Sequence, residues 1–87
     1  MNKSKLDQQA RFGMLNTLVN ERITTAMKEE GLSIPEIASQ VGMSVSTLRR
    51  RLSGKGQQCF YVSELALMAV YLDRDLPWIF GADAVAA

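Results

Sequence analysis

The fold of this 87-residue chain is decided by residues 33–56, SIPEIASQVGMSVSTLRRRLSGKG. Ser33 begins the S-x-x-E spacing of a capping box, in which two side chains satisfy free backbone N–H groups at a helix start. Apolar residues then recur at helical spacing up to Gly42, a residue suited to the left-handed end of a helix. Ser44 has the position of a second N-cap, and a second apolar stripe follows it. The pattern predicts two short helices joined by a tight turn, a helix-turn-helix.

Helical patterns also fill the rest of the chain. Residues 9–30 carry an apolar stripe at helical spacing, and Gly13 is the weak point of that helix, since glycine costs roughly 1 kcal/mol there relative to alanine. A break at that glycine would leave a separate lead-in segment. Residues 62–72 are predicted to form the next helix, and Asp75 is the expected cap of a short last helix over residues 76–80.

These elements predict an all-α fold, a compact domain of five helices with the helix-turn-helix at about residues 33–53. The first residues are polar and the last ones small, which is typical of chain ends. The expected division is a partly helical N-terminal extension at 1–16, the domain at 17–81 and a tail at 82–87.

Composition excludes several classes of protein. A hydrophobic fraction of 47% is ordinary for one globular domain and argues against wholesale disorder. No apolar run approaches the ~18 residues that span a membrane, and no signal core follows the N-terminal lysines. Cys59 is the only cysteine, so a cytoplasmic protein with a free thiol is expected. The chain has no histidine, the commonest general base and metal ligand, so we expect no enzyme activity, metal, cofactor or small-molecule substrate.

Charge is unevenly distributed along the chain, although the net charge is only +1. Residues 1–43 carry five basic and five acidic residues. Residues 44–57 carry four basic residues and no acid, whereas residues 58–87 carry one arginine and four acids. The second helix of the pair is therefore the part of the chain best suited to face phosphates.

From about residue 20 to residue 81 the chain resembles the lambda-repressor-like, Cro/Xre-type DNA-binding domains of phages and bacteria. The family's small packing residue, turn glycine and core positions fall on Ala38, Gly42, Ile37, Val41 and Leu48. The family often has an apolar residue where this chain has Arg51, and Leu52 takes over its packing here. The resemblance implies the five-helix lambda-repressor-like fold and a transcriptional regulator of the phage Cro or immunity-repressor type, working on double-stranded DNA in the bacterial cytoplasm or nucleoid.

The second helix of such a motif places its N-terminal half against base edges in the major groove. Matched to the family, the residues expected to contact bases are Ser44, Val45, Ser46 and Arg50, with Arg49 beside them on the outer face. An arginine can donate two parallel hydrogen bonds to a guanine, and Val45 could pack on a thymine methyl.

Contacts with the DNA backbone are expected from three places. The first is the start of the first helix, where backbone N–H groups and the helix dipole favour an anion beside a capping serine. The second is the loop after the second helix, and the third is an arginine at the side of that helix. The predicted phosphate-contacting residues are Ser33, Ile34, Arg51, Ser53, Lys55 and Gly56.

The helix at 62–72 is apolar nearly all round. One face suffices for a small core, so the second face either completes the core or lies in an interface with a second copy. The candidate pairing residues are Leu67, Val70, Tyr71, Trp78, Ile79 and Phe80. The alternative surface is the N-terminal extension, around Leu6, Phe12 and Leu15. We expect a weak homodimer, or a monomer that pairs only on DNA.

The same residues are compatible with two other kinds of function. An antitoxin or an excisionase-like factor would also bind DNA through this motif. A protein–protein adaptor would use the helical fold and the apolar C-terminal helices without binding DNA.

Overall fold

The computed structural model of the chain describes residues 5–54 and 59–85, with side chains at 13–54 and 59–84. Over these ranges every regular element is a helix, so the all-α prediction is confirmed. The helices are α1 (Lys5–Glu30), α2 (Ile34–Val41), α3 (Val45–Ser53), α4 (Val62–Leu72), α5 (Leu76–Ile79) and α6 (Ala82–Val85). The sixth helix is one more than the sequence predicts.

The boundaries of α2 and α3 follow from their caps. The Ser33 hydroxyl accepts a hydrogen bond from the Glu36 backbone N–H at 3.3 Å, and the Ser33 N–H donates to Glu36 Oε1 at 3.0 Å, which completes the capping box. Gly42 ends α2 in the left-handed conformation, with φ of 70°. Ser44 Oγ accepts from the Thr47 N–H at 3.1 Å and starts α3. The predicted capping box, turn glycine and second N-cap are confirmed.

The core lies between α2, α4 and the second half of α1. Helix α2 packs against α3 and α4, and α1 crosses α3, α4 and α5. The fully buried large side chains are Ile23, Ile37, Leu48, Met68, Leu72 and Ile79. Every helix from α1 to α5 contributes to this set, so α3 is held in place by the whole core and not by its turn with α2 alone.

Ala38 is the small residue at the centre of α2, and only 2% of its surface is exposed. Ala38→Leu is expected to lower the free energy of unfolding by about 1–3 kcal/mol, because added methylenes in a filled core force neighbours apart. Urea titration of the variant measures this. Unchanged unfolding would mean that α2 has free space at this position and does not approach its neighbours closely.

Helix α1 runs without interruption from Lys5 to Glu30, so the predicted start at residue 9 and the break at Gly13 are wrong. A Cβ at Gly13 would have no neighbouring group within 4 Å. No close packing therefore requires a glycine at this position. Its cost of roughly 1 kcal/mol relative to alanine is small compared with the free energy that the helical hydrogen bonds on both sides of it contribute. The predicted boundary between the extension and the domain, at residues 16 and 17, lies inside this one helix.

The C-terminal segment is held by Arg22 of α1. Its guanidinium binds both carboxylate oxygens of Asp83, at 3.0 and 3.1 Å, and donates to the Trp78 carbonyl at 3.1 Å. It also lies 4.7 Å from the centre of the Trp78 ring. Hydrogen bonding from Arg22 lowers the pKa of Asp83. The prediction of a tail from residue 82 is therefore wrong for Ala82–Val85, because this clamp holds them. Asp75 is the N-cap residue of α5, as predicted, although its side chain makes no capping hydrogen bond.

Candidate nucleic-acid interface

Helix α3 has one buried face and one outer face. Leu48 is fully buried and faces the core. Ser46, Arg49 and Arg50 are exposed. At 100° per residue these three lie on the side away from Leu48, as the outer-face prediction requires.

The arginines whose side chains are described divide into two groups. Arg22, Arg51 and Arg74 each form an ion pair with an acid elsewhere in the chain. Arg49 and Arg50 make no ion pair and no side-chain hydrogen bond within residues 13–54 and 59–84. Two adjacent cations without partners on the exposed face of a helix can bind an external anion or hydrogen-bond acceptor.

Arg74 illustrates the paired group. It donates to Glu29 at 2.8 Å and to Glu30 at 3.0 Å, which ties the end of α4 to the end of α1. Hydrogen bonds to Glu29, and then to Glu30, raise the pKa of Arg74. All these pairs lie outside the exposed face of α3, so that face keeps its positive charge.

The first turn of α3 is rich in hydroxyl groups. Ser44 Oγ donates to Thr47 Oγ1 at 2.8 Å while capping the helix, so its hydroxyl is already used within the turn. Ser46 Oγ lies 3.3 Å from Ser44 Oγ and is exposed. Val45 is half-buried and packs against the core. Of the three predicted base-contacting residues before Arg49, Ser46 has the freest side chain.

The start of α2 is dominated by Glu36. Its carboxylate accepts from the Ser33 N–H and, at 2.9 Å, from the Ser33 hydroxyl. These two bonds, the backbone one being the larger, lower the pKa of Glu36, so the group stays ionised near neutral pH. A negative carboxylate that uses both donors of Ser33 argues against the phosphate contact predicted there. The backbone N–H of Ile34 is left as the predicted donor at this helix start.

Arg51 lies against the protein and not toward an external strand. Its side chain is 13% exposed, donates to Glu64 Oε1 of α4, and packs on the rings of Phe60 and Tyr61. This arrangement argues against the phosphate contact predicted for Arg51, because the ion pair and the ring contacts already hold and enclose the guanidinium.

The loop after α3 is described only at its ends. The Ser53 hydroxyl donates to the Arg50 carbonyl at 2.7 Å and is exposed beside Gly54. Lys55 and Gly56, both predicted to contact phosphate, lie outside the described residues.

The predicted pairing surface is divided by the fold. Leu67 is 50% exposed and Val70 is 83% exposed, so both lie on an outer face of α4. Phe80 is 36% exposed, and Tyr71 and Trp78 are half-buried. Ile79 is fully buried in the core, so its assignment to this surface is wrong: α5 turns it against α1 and α4. On the alternative surface Leu15 is 41% exposed, and the side chains of Leu6 and Phe12 lie outside the described residues.

The chain matches no family model, no curated protein and no solved structure. No helix in the described ranges combines the length and hydropathy needed to cross a membrane. The case for a function therefore rests on the residues themselves.

Sequence reasoning missed two residues that hold α3 in place. Asn20 is 7% exposed, and its side-chain amide donates to the Arg51 carbonyl at 3.0 Å. Glu64 accepts the Arg51 ion pair from α4. Asn20 had a signal, because it shares a helix face with Ile23 and Met27, and a polar residue in an apolar stripe needs a buried partner. The sequence gives no signal for the role of Glu64 beyond its position in the first turn of a helix.

Proposed function

We propose that this chain is a sequence-specific DNA-binding transcriptional regulator, of the phage Cro or immunity-repressor type. Helices α2 and α3 act as its helix-turn-helix within a lambda-repressor-like domain. Helix α3 enters the major groove of operator DNA, and bound protein excludes other proteins from the promoter.

The free pair Arg49 and Arg50 is the observation that carries this proposal. The folded chain pairs Arg22, Arg51 and Arg74 with acids and leaves these two exposed on one face. Two exposed cations without acidic partners create a local positive potential, which attracts an external polyanion. Guanine offers the two acceptors that a planar guanidinium fits. Ser46, one turn earlier on the same face, supplies a smaller polar contact.

Pairing of two copies would supply the rest of the specificity. One recognition helix contacts only a few base pairs, whereas two copies about one helical turn apart read a palindrome. The exposed side chains of Leu67, Val70 and Phe80 are the proposed contact between copies, weak in solution and strengthened on DNA. The operator is then expected to be an inverted repeat.

Selection of binding sites from a random duplex library tests the proposal. We expect enrichment of one guanine-containing inverted repeat, with binding that weakens steeply as salt rises. Sedimentation of the protein with and without this DNA reports whether two copies bind. A library that yields no preferred sequence would overturn the proposed function, and a preferred single half-site bound by a monomer would overturn the pairing.

Replacing Arg50 separates base reading from general attraction. Arg50→Ala is expected to cost roughly 1–3 kcal/mol on the selected site and little on random DNA, because the bidentate contact with guanine is lost. Fluorescence anisotropy on both duplexes measures the difference. Lys28→Ala is the control, since Lys28 is an exposed cation in the last turn of α1 and not on α3. Equal losses on both duplexes would instead make Arg50 a phosphate contact.

A protein–protein adaptor is the second candidate, and the exposed outer face of α4 favours it. Leu67 and Val70 present apolar surface that a partner protein could cover. An adaptor would bind neither the selected DNA nor random DNA at low salt, so the same titrations separate the two functions. An antitoxin or an excisionase-like factor would share the DNA binding, and footprinting on the DNA upstream of its own coding sequence would identify a repressor.

A further inference from the structure

Arg51 joins three segments of the chain at the C-terminal end of α3. Its carbonyl accepts from Asn20 of α1 at 3.0 Å. Its guanidinium reaches Glu64 of α4, whose Oε1 also accepts the Tyr61 N–H at 2.8 Å. The exposed fractions of the Arg51 and Glu64 side chains are 13% and 19%, so solvent screens this pair far less than a surface pair.

The aromatic residues before α4 complete the arrangement. The guanidinium carbon of Arg51 lies 5.7 Å from the centre of the Phe60 ring and 5.3 Å from that of Tyr61. Phe60 is itself buried, with 8% exposure. The end of α3 is thus connected to the start of α4 by an ion pair and two ring contacts, on either side of the loop that contains Lys55.

We propose that the Arg51–Glu64 pair positions α3 for DNA, with Arg51 acting from inside the protein and making no contact with DNA. The inference rests on the proposed function. Arg49 and Arg50 adjoin Arg51 in the same helix, so a change in its attachment rotates or tilts the two residues that face the groove.

Removing the acidic group of Glu64 distinguishes a positioning role of the ion pair from a purely electrostatic effect on DNA binding. Glu64→Gln deletes a negative charge, which by electrostatics alone strengthens attraction to DNA. If the pair positions α3, the same change weakens binding to the selected site, by about tenfold, despite the added positive charge. The amide oxygen of the introduced glutamine would still accept from the Tyr61 N–H, so the start of α4 is preserved.

Glu21→Gln is the matched control. Glu21 is an exposed acid on α1 that lines the same shallow cavity as Ser53 and Gly54, close to the end of α3. Its removal changes the net charge by the same amount and breaks no ion pair or side-chain hydrogen bond with the described residues of α3. We expect binding equal to that of the natural chain or slightly tighter. Equal behaviour of the Glu64 and Glu21 variants would overturn the positioning role.

The salt dependence of a second variant tests whether Arg51 contacts phosphate. Arg51→Met is expected to weaken binding while leaving the slope of log K against log salt unchanged, because no phosphate contact is lost. A slope reduced by about one unit would overturn the proposal.

Thermal melting of both variants is measured as well. If both variants are unfolded, the pair serves stability alone and the positioning role is overturned. If the natural chain selects no DNA sequence, the proposed function fails first. If it does and the Glu64 variant binds normally, only this inference fails.

Discussion

Replacing Leu48 with alanine is expected to lower the free energy of unfolding by about 2–5 kcal/mol. Leu48 is the fully buried side chain of α3, and it connects that helix to the core formed by α1, α2 and α4. The loss combines the transfer energy of the missing atoms with the cavity that they leave. Total stabilities of small domains are about 5–15 kcal/mol, so the variant loses a large share. Urea titration followed by circular dichroism measures the change.

Leu67→Ala on α4 is the matched control, since it removes the same atoms from a helix at a site that is 50% exposed. Its effect on an isolated chain should stay below about 1 kcal/mol, because the lost burial is small. A dependence of its melting temperature on protein concentration would place Leu67 in a contact between copies. Comparable losses in the two leucine variants would mean that α3 is not attached to the core through Leu48.

Gly81→Ala is expected to destabilise the chain by about 2–4 kcal/mol, the sum of a backbone cost and a packing cost. Gly81 has a φ of 73°, where an alanine alone costs about 1–2 kcal/mol. An added Cβ would also overlap Cδ2 of Leu18 and lie 2.8 Å from its Cγ. Either the Leu18 side chain must change its conformation or the backbone at Gly81 must move away from α1. Thermal and urea unfolding of the variant report the sum of these two costs.

Gly42→Ala isolates the backbone cost. Gly42 has nearly the same φ, 70°, and a Cβ there would have no neighbour within 4 Å. Its expected cost is therefore the conformational part alone, about 1–2 kcal/mol. In a Leu18→Ala background the Gly81→Ala cost should fall to the Gly42 value, since the double change removes the overlap. A Gly81 cost no larger than that at Gly42 in the natural background would contradict the close packing of Leu18.

Local signals in the sequence are sufficient to predict the centre of the fold. Ser33 with Glu36, Gly42 and Ser44 each act within four residues of their own position, and the boundaries of α2 and α3 agree with them to within one residue. Helix α4 also has its predicted bounds. Its long apolar pattern ends at Asp73, which has the left-handed conformation of a C-cap.

The features of the fold that the sequence did not predict depend on contacts between residues far apart in the chain. Arg51 resembles a surface cation until α4 places Glu64 beside it. The residues at 82–85 resemble a tail until Arg22 reaches Asp83, 61 positions away. Ile79 resembles part of a surface cluster, and only the packing of α5 on α1 and α4 buries it. No local pattern distinguishes an arginine that binds its own protein from one that is left free, and that distinction decides which arginines can bind an external partner.

The clamp between Arg22 and Asp83 also has a consequence during synthesis. The ribosome produces α1, α2 and α3 before α4 and α5, although the core that contains Leu48 also contains side chains of those later helices. At about 5–20 residues per second, roughly 2–6 s pass between the end of α3 and Asp83. During this interval the nascent chain already contains Arg49 and Arg50 but has no completed core to orient them. The proposed DNA binding should therefore arise late, when the C-terminal segment has left the ribosome, and nascent chains stalled before that segment should not bind the selected DNA.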